Sequence, residues 1–189
     1  MLKDLVLKNR SYRGYDRGVQ IDEKTLLELV DMARLTASSV NQQPLRYHIS
    51  HTPDDVAAVQ ALTRWARGLP ELNLPYPGTE PTAFITICID SPNPQAFLRD
   101  VGIAAQTILL GAAELGLGGC MIGNFSKQDA RALLGLPESV EPNLIVALGK
   151  PAEEIVLTEA KKGESLKYYR GADGKTHYVP KLRLEDVLI

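Results

Sequence analysis

Two guanidinium groups and a hydroxyl fall within four residues at Arg10, Ser11 and Arg13. A guanidinium fork donates paired hydrogen bonds to paired oxygens, so this combination suits a phosphate dianion. Far along the chain, Lys181 and Arg183 form a second basic pair. On spacing alone the first segment reads by default as a solvated basic loop. Joined with the second, it could form an anion site.

Another polar constellation lies in Thr36–Pro44, where Ser38, Ser39, Asn41 and Gln43 crowd donors and acceptors together. Serine and asparagine are ordinary turn residues, so a plain loop is the default. The functional alternative is a set of hydrogen bonds to the polar edge of a heterocycle. A third candidate is Gly116-Leu-Gly-Gly-Cys-Met-Ile-Gly123, read as a glycine-rich turn suited to close approach of a flat or anionic ligand. This turn follows a helical stretch and lacks the third glycine of a dinucleotide fingerprint. Gly118 and Gly123 have phosphate-loop spacing, but Asn124-Phe125 replaces the required Lys-Ser/Thr. There is no Gly-x-Ser-x-Gly elbow, no His-Glu-x-x-His and no cysteine–histidine cluster. Hydrolytic and metal chemistry therefore have little support.

The 189 residues suit one domain, 1–189, with ordinary globular composition: 44% hydrophobic and 23% charged. A net charge of −2 provides no global field for nucleic acid or an anionic membrane. Any anion site must be built locally. Asp4 and Lys8 interrupt what a signal peptide would keep apolar, and Cys88 and Cys120 read as reduced thiols of a cytoplasmic protein. The longest run without a polar side chain in the central helix, Ile108–Ala113, is far short of the roughly 20 residues needed to span a bilayer.

The elements that must position these residues follow in order. Leu2–Lys8 reads as a short helix, and Asp22 caps a second with Ile21 stapled onto Leu26. Leu45–Ile49 is a strand; Thr52-Pro53 opens a third helix with Val56, Val59, Leu62 and Ala66 inward. The proline-rich loop Gly68–Pro81 has the length of a lid or binding wall. Ala83–Ile89 and Asn143–Leu148 are buried strands. Between them, Asn93-Pro94 starts a helix apolar on nearly all sides, the expected spine of the molecule. Ser126 caps a short helix ended by Gly135. Beyond Ala152, Lys167–Arg170 and Thr176–Val179 form a hairpin with an Asp-Gly turn. The closing apolar stub, Leu184–Ile189, suits docking on a partner subunit.

In this order, Arg10-Ser-Tyr-Arg13, Ala37-Ser-Ser-Val-Asn-Gln-Gln-Pro44, the apolar helix entering Gly116–Gly123, and Pro180-Lys-Leu-Arg183 resemble the FMN-dependent nitroreductase family. The resemblance covers nearly the whole chain. It implies an α+β fold with a central, mostly antiparallel sheet flanked by helices. It further implies an intertwined homodimer with an exchanged C-terminal arm, about residues 152–189, and FMN at the dimer interface. Arg10, Ser11, Lys181 and Arg183 match positions that hold the FMN phosphate or ribityl chain, and Arg13 the N1/O2 side of the ring. Ser38, Ser39, Asn41 and Gln43 match a loop that meets the flavin, in part from the other subunit. Ile122 and Gly123 match the backbone at flavin N5. Many relatives carry a further arginine where this chain has Asn9, and common members an acidic residue where it has Gly123.

The implied activity is an FMN-dependent NAD(P)H oxidoreductase, passing electrons by ping-pong chemistry to nitroaromatic, quinone or similar conjugated acceptors. No side chain serves as a catalytic nucleophile and no metal is needed, because the cofactor carries the chemistry. Two other classes remain: an FMN-storage or redox-sensing protein, and a specialised member such as a biosynthetic dehydrogenase or reductive dehalogenase.

Overall fold

The computed structural model describes residues 1–189, apart from the side chain of Pro70. Its centre is an antiparallel sheet of β1 (Tyr15–Asp16), β2 (Leu45–Ser50), β3 (Ala83–Asp90), β4 (Gly118–Ile122) and β5 (Val140–Pro151). β5 is the axis: β3 pairs along one side, while β4 and β1 share the other. β2 completes the far edge against β3.

Helices cover both faces, which is why β3 and β5 read as continuous apolar runs instead of alternating ones. On one face, Ile85, Ile87 and Ile89 of β3 and Val146 and Leu148 of β5 pack beneath α2 (Glu23–Arg34) and α4 (Leu98–Glu114). On the other, Phe84, Ile145 and Ala147 meet Val59 of α3 (Pro53–Leu62), with Leu134, the C-cap of α5 (Lys127–Leu133), packed against the cluster. α1 (Leu2–Lys8) is short and leads directly into the arginine segment.

Local rules set most boundaries. Asp22 accepts the Thr25 N–H at 2.7 Å and Ser126 Oγ accepts that of Asp129 at 3.2 Å, each satisfying an end-of-helix donor. The Ile21 staple is present, with Ile21 and Leu26 both buried in the same cluster. α3 stops at Leu62, earlier than its apolar pattern suggested. Ala66 lies beyond it with φ +46° and belongs to the following loop. The spine helix is preceded by a 3-10 turn, Pro94–Phe97, so α4 proper begins at Leu98.

The glycine segment differs most from expectation. Gly118–Ile122 is not a turn but strand β4, hydrogen-bonded along β5. A Cβ on Gly119 would meet the Ala147 carbonyl and lie 2.6 Å from Leu109 Cδ2. One on Gly118 would lie 2.7 Å from Pro151 Cγ and against the Tyr12 ring. These glycines admit protein, not ligand.

The C-terminal region forms a second sheet. β8 (Thr176–Leu182) runs parallel to β6 (Glu154–Ala160) and antiparallel to β7 (Tyr169–Arg170). The Asp-Gly hairpin is as expected, but β6 was not, although Ile155-Val-Leu-Thr158 is a strand-prone run. β8 also continues through Pro180, because beyond Tyr178 it has outrun β7 and an edge is open.

Candidate functional site

The arginine segment is seated by the glycines. Tyr12 N–H donates to the Gly119 carbonyl at 3.0 Å, and Ser11 bridges to Gly119 in parallel. The Tyr12 ring fills the place a side chain on Gly118 would take. Tyr15, fully buried, donates its hydroxyl to the Tyr12 carbonyl at 2.7 Å and packs over Gly149. Arg10 and Arg13 are thereby fixed on the edge of β4.

Both arginines reach one cavity of about 360 Å³. Its wall includes Asn9, Arg10, Ser11 and Arg13 from the N-terminus, Gln106 and Leu109 from α4, and Met121 from β4. The C-terminal sheet supplies the rest, chiefly Tyr168, His177, Val179 and Lys181. The last three sit at alternate positions of β8, so one face of that strand is the wall. Basic groups from opposite ends of the chain thus converge where the net charge of −2 gave no hint of a positive field.

The groups in the cavity are held differently. Arg10 Nη2 donates to the Val6 carbonyl at 2.7 Å and its Nε to Asn9, so the guanidinium closes the end of α1. Arg13 Nη1 donates to the Ser11 carbonyl at 3.1 Å, and its Nε is buried without a partner. Its guanidinium carbon sits 5.3 Å from the centroid of the Tyr168 ring, a cation–π contact. Tyr168 in turn leans on His177, centroids 5.2 Å apart. His177 is only 2% exposed, and neither ring nitrogen has a partner. Burial lowers its pKa to about 4, with the charges of Arg170 and Arg13 adding to the effect. The ring is neutral near pH 7.

Glu153 organises the rim. It accepts the Arg13 backbone N–H and pairs with Arg170 at 2.8 Å. The proline-rich loop also closes on this region: Gly68 N–H donates to Tyr168 Oη at 3.2 Å, and Arg170 lies over the Tyr76 ring.

The remaining expected residues lie elsewhere. Arg183 is outside the cavity, paired with Glu185 at 3.2 Å and Asp186 at 3.0 Å, because β8 ends at Leu182 and a 3-10 turn redirects the chain. Ile122 points its side chain into the core with Val59 and Phe84, leaving only its backbone for a ligand. Gly123 is exposed, and a Cβ there would meet nothing within 4 Å.

Ser38 and Gln43 line a separate cavity of about 380 Å³ with Tyr47 and Asp100. Ser38 Oγ donates to Asp100 at 2.7 Å and accepts the Gln43 N–H at 3.0 Å, so its hydroxyl is committed to the loop. Ser39 N–H also donates to Asp100, and Gln43 Nε2 to Asn41 Oδ1 at 3.1 Å. Val40, Asn41 and Gln43 have positive φ, and Val40 is 87% exposed. A β-branched residue in that conformation is strained, and strain held by a buried carboxylate marks a shape worth maintaining.

Asp100, Glu153, Tyr168 and His177 belong to these sites without having been expected there from the sequence. For His177 a signal existed, since period-two alternation back from Lys181 through Val179 reaches it. For Asp100 no local signal existed, since an acid in the first turn is ordinary at any helix start.

Fold and cavity define an α+β protein with a pocket lined by basic groups from both ends of the chain. Residues 6–150 match the Nitroreductase family, and the chain belongs to that family of oxidoreductases. The C-terminal sheet lies beyond the matched region. Among similar proteins, a candidate NADH dehydrogenase/NAD(P)H nitroreductase of Methanothermobacter thermautotrophicus is 29% identical, over 79% of this chain and 77% of that protein. One with the same description from Archaeoglobus fulgidus is 27% identical over 82% and 88%. The solved structure of a candidate nitroreductase in complex with FMN, from Exiguobacterium sibiricum, superposes with a TM-score of 0.68 at 19% identity, covering 81% of this chain and 89% of that one. An FMN-dependent nitroreductase from Clostridium difficile gives 0.66 at 23%, covering 79% and 87%. These two likenesses establish the fold.

Proposed function

We propose that residues 1–189 act as one FMN-binding unit that oxidises NADH or NADPH and reduces a conjugated acceptor such as a nitroaromatic or quinone. The observation that carries this reading is the convergence of Arg10, Ser11, Arg13 and Lys181 on one cavity. Arg10, Lys181 and the Ser11 hydroxyl suit the phosphate and ribityl chain, and Arg13 the N1/O2 edge of the ring. The unpartnered Arg13 Nε gives that edge a donor already desolvated, so it need not shed water when ligand arrives. When held by these residues, FMN would supply the redox chemistry, and with donor and acceptor occupying the same flavin face in turn the kinetics would be ping-pong. The backbone of Ile122 and Gly123 would approach N5 without adding a competing acid. Arg183 would join the phosphate group only by leaving Glu185 and Asp186.

A homodimer completes the proposal, with exchange limited to the end of the expected 152–189 arm, because Glu153, Tyr168 and Lys181 pack against the N-terminal segment of their own chain. Its support is the exposed apolar run Leu184, Val187, Leu188 and Ile189, together with Leu98 and Ile103 on α4. The strained loop Ser38–Gln43, outside the cavity of its own chain, would then meet the partner's flavin. Cytoplasmic operation is consistent with free thiols at Cys88 and Cys120.

The direct test is an absorbance spectrum of protein equilibrated with FMN and desalted, followed by anaerobic NADH or NADPH in the same cuvette. Retained flavin that bleaches with reductant and recovers with menadione is expected. Protein that emerges colourless would end this reading. Parallel-line initial-velocity patterns test the ping-pong order, and light scattering tests the dimer.

A further inference from the structure

His177 is a buried polar group with nothing to bind. Its ring is 2% exposed and both nitrogens lack partners, although it stands in the wall of a polar cavity. Leaving such a group unpaired forfeits its hydration without compensation, so a native fold keeps one where something else satisfies it. Its neighbours do not: Tyr168 lies against the ring at a tilt of 42°, and neither Arg13 nor Arg170 hydrogen-bonds to it.

Position along β8 says what the partner would be. Lys181, four residues on, faces the same cavity. At about 3.3 Å per residue the two side chains are roughly 13 Å apart along the strand. That separation suits a ligand with its anionic end at Lys181 and Arg10 and a heterocycle at the other. At the heterocycle's end stand His177 and Arg13, two of the three residues whose buried nitrogens lack partners; the third, Arg170, is tied to Glu153.

Building on the proposed FMN site, we propose that His177 is a direct contact of the flavin, donating an imidazole N–H to the acceptor edge of the pyrimidine ring beside Arg13. His177 thus adds a contact at the ring to the phosphate contact of Lys181 on the same strand, and both lie outside the family-matched residues 6–150. A neutral imidazole offers one donor and one acceptor, so it adds a hydrogen bond to that edge without placing a second full charge against Arg13. Burial and the two arginines keep it in that form. The same arrangement makes it a poor proton donor near pH 7, so its task is binding and electronic tuning. A donor aimed where negative charge accumulates stabilises the reduced ring more than the oxidised one.

The test compares wild-type protein with H177F, which keeps a flat ring but no donor, and H177Q, which keeps an N–H. FMN affinity is read by quenching of flavin fluorescence, and the midpoint potential by dye equilibration. H177F is expected to bind FMN about tenfold more weakly, the loss of one buried hydrogen bond. Its potential moves to more negative values, and H177Q recovers most of both. Thermal melts of the apo proteins establish that each variant is folded. If H177F binds FMN with wild-type affinity and potential, the inference is overturned while the FMN site stands; a water would then be the ring's partner. If wild-type protein binds no FMN, the site itself and this inference fall together.

Discussion

The carboxylate of Glu153 lies 2.8 Å from the guanidinium of Arg170, with only 5% and 10% of the two side chains exposed. This pair ties the C-terminal hairpin to the end of the central sheet. Because Glu153 also accepts the Arg13 N–H, it sets one wall of the cavity relative to the other. Removing one partner of a buried pair strands the other charge. Glu153→Gln is therefore expected to lower stability by about 3–5 kcal/mol, measured by urea denaturation. The exposed Lys127–Glu141 pair is the control: Lys127→Ala should cost under about 1 kcal/mol. Equal effects at the two sites would contradict the assignment.

Asp100 should govern the Ser38–Gln43 loop. Asp100→Ala leaves the Ser38 hydroxyl and Ser39 N–H without their acceptor, at a cost of about 2–4 kcal/mol reduced by relief of backbone strain. Hydrogen exchange is the discriminating readout. The Ser39 and Gln43 amides should lose protection while those of β3 keep theirs.

The glycines divide into structural and open positions. Gly119→Ala drives a methyl into the Ala147 carbonyl and Leu109, costing about 3 kcal/mol or more in a thermal or urea melt. Gly123→Ala meets nothing and should change stability by less than about 0.5 kcal/mol. Gly123→Pro removes the N–H as well, and on the proposed FMN reading it loses NAD(P)H oxidation where the alanine variant keeps it.

The pH dependence of stability should carry the mark of His177. Its folded pKa of about 4 lies below the ordinary 6.5, so between those values the unfolded chain binds the extra proton. The contribution of the neutral ring is complete above pH 6.5 and is lost as pH falls toward 4. The urea midpoint of the wild type should therefore drop across that window more steeply than that of H177Q. Parallel curves would show that burial, with the charges of Arg170 and Arg13, does not hold the ring neutral.

The two thiols should be inert in the folded protein. Burial pushes Cys88 up to about 12 and raises Cys120, the latter with Arg13 partly opposing. Neither should react with a disulfide reagent at mildly alkaline pH, and both should react once guanidinium chloride unfolds the chain. Prompt labelling of the native protein would show that one of them is reachable.

Local chemistry made much of the fold legible in the sequence. Asp22, Thr52 and Ser126 announce helix starts because each side chain satisfies a backbone donor within three residues. Ala83–Ile89 and Asn143–Leu148 announce two-sided burial because nothing polar interrupts them beyond Thr86. The same locality defeated the reading of Gly116–Gly123. Nothing adjacent says whether a small residue makes room for a ligand or for Tyr12 and the Ala147 carbonyl, and only the tertiary structure decided for protein. It was tertiary structure, too, that placed Lys181 beside Arg10 while turning Arg183 away to its own carboxylates. Sequence determined which groups could bind an anion. Folding decided which of them share a cavity, because that depends on contacts between residues more than a hundred positions apart, such as Arg13 with Glu153.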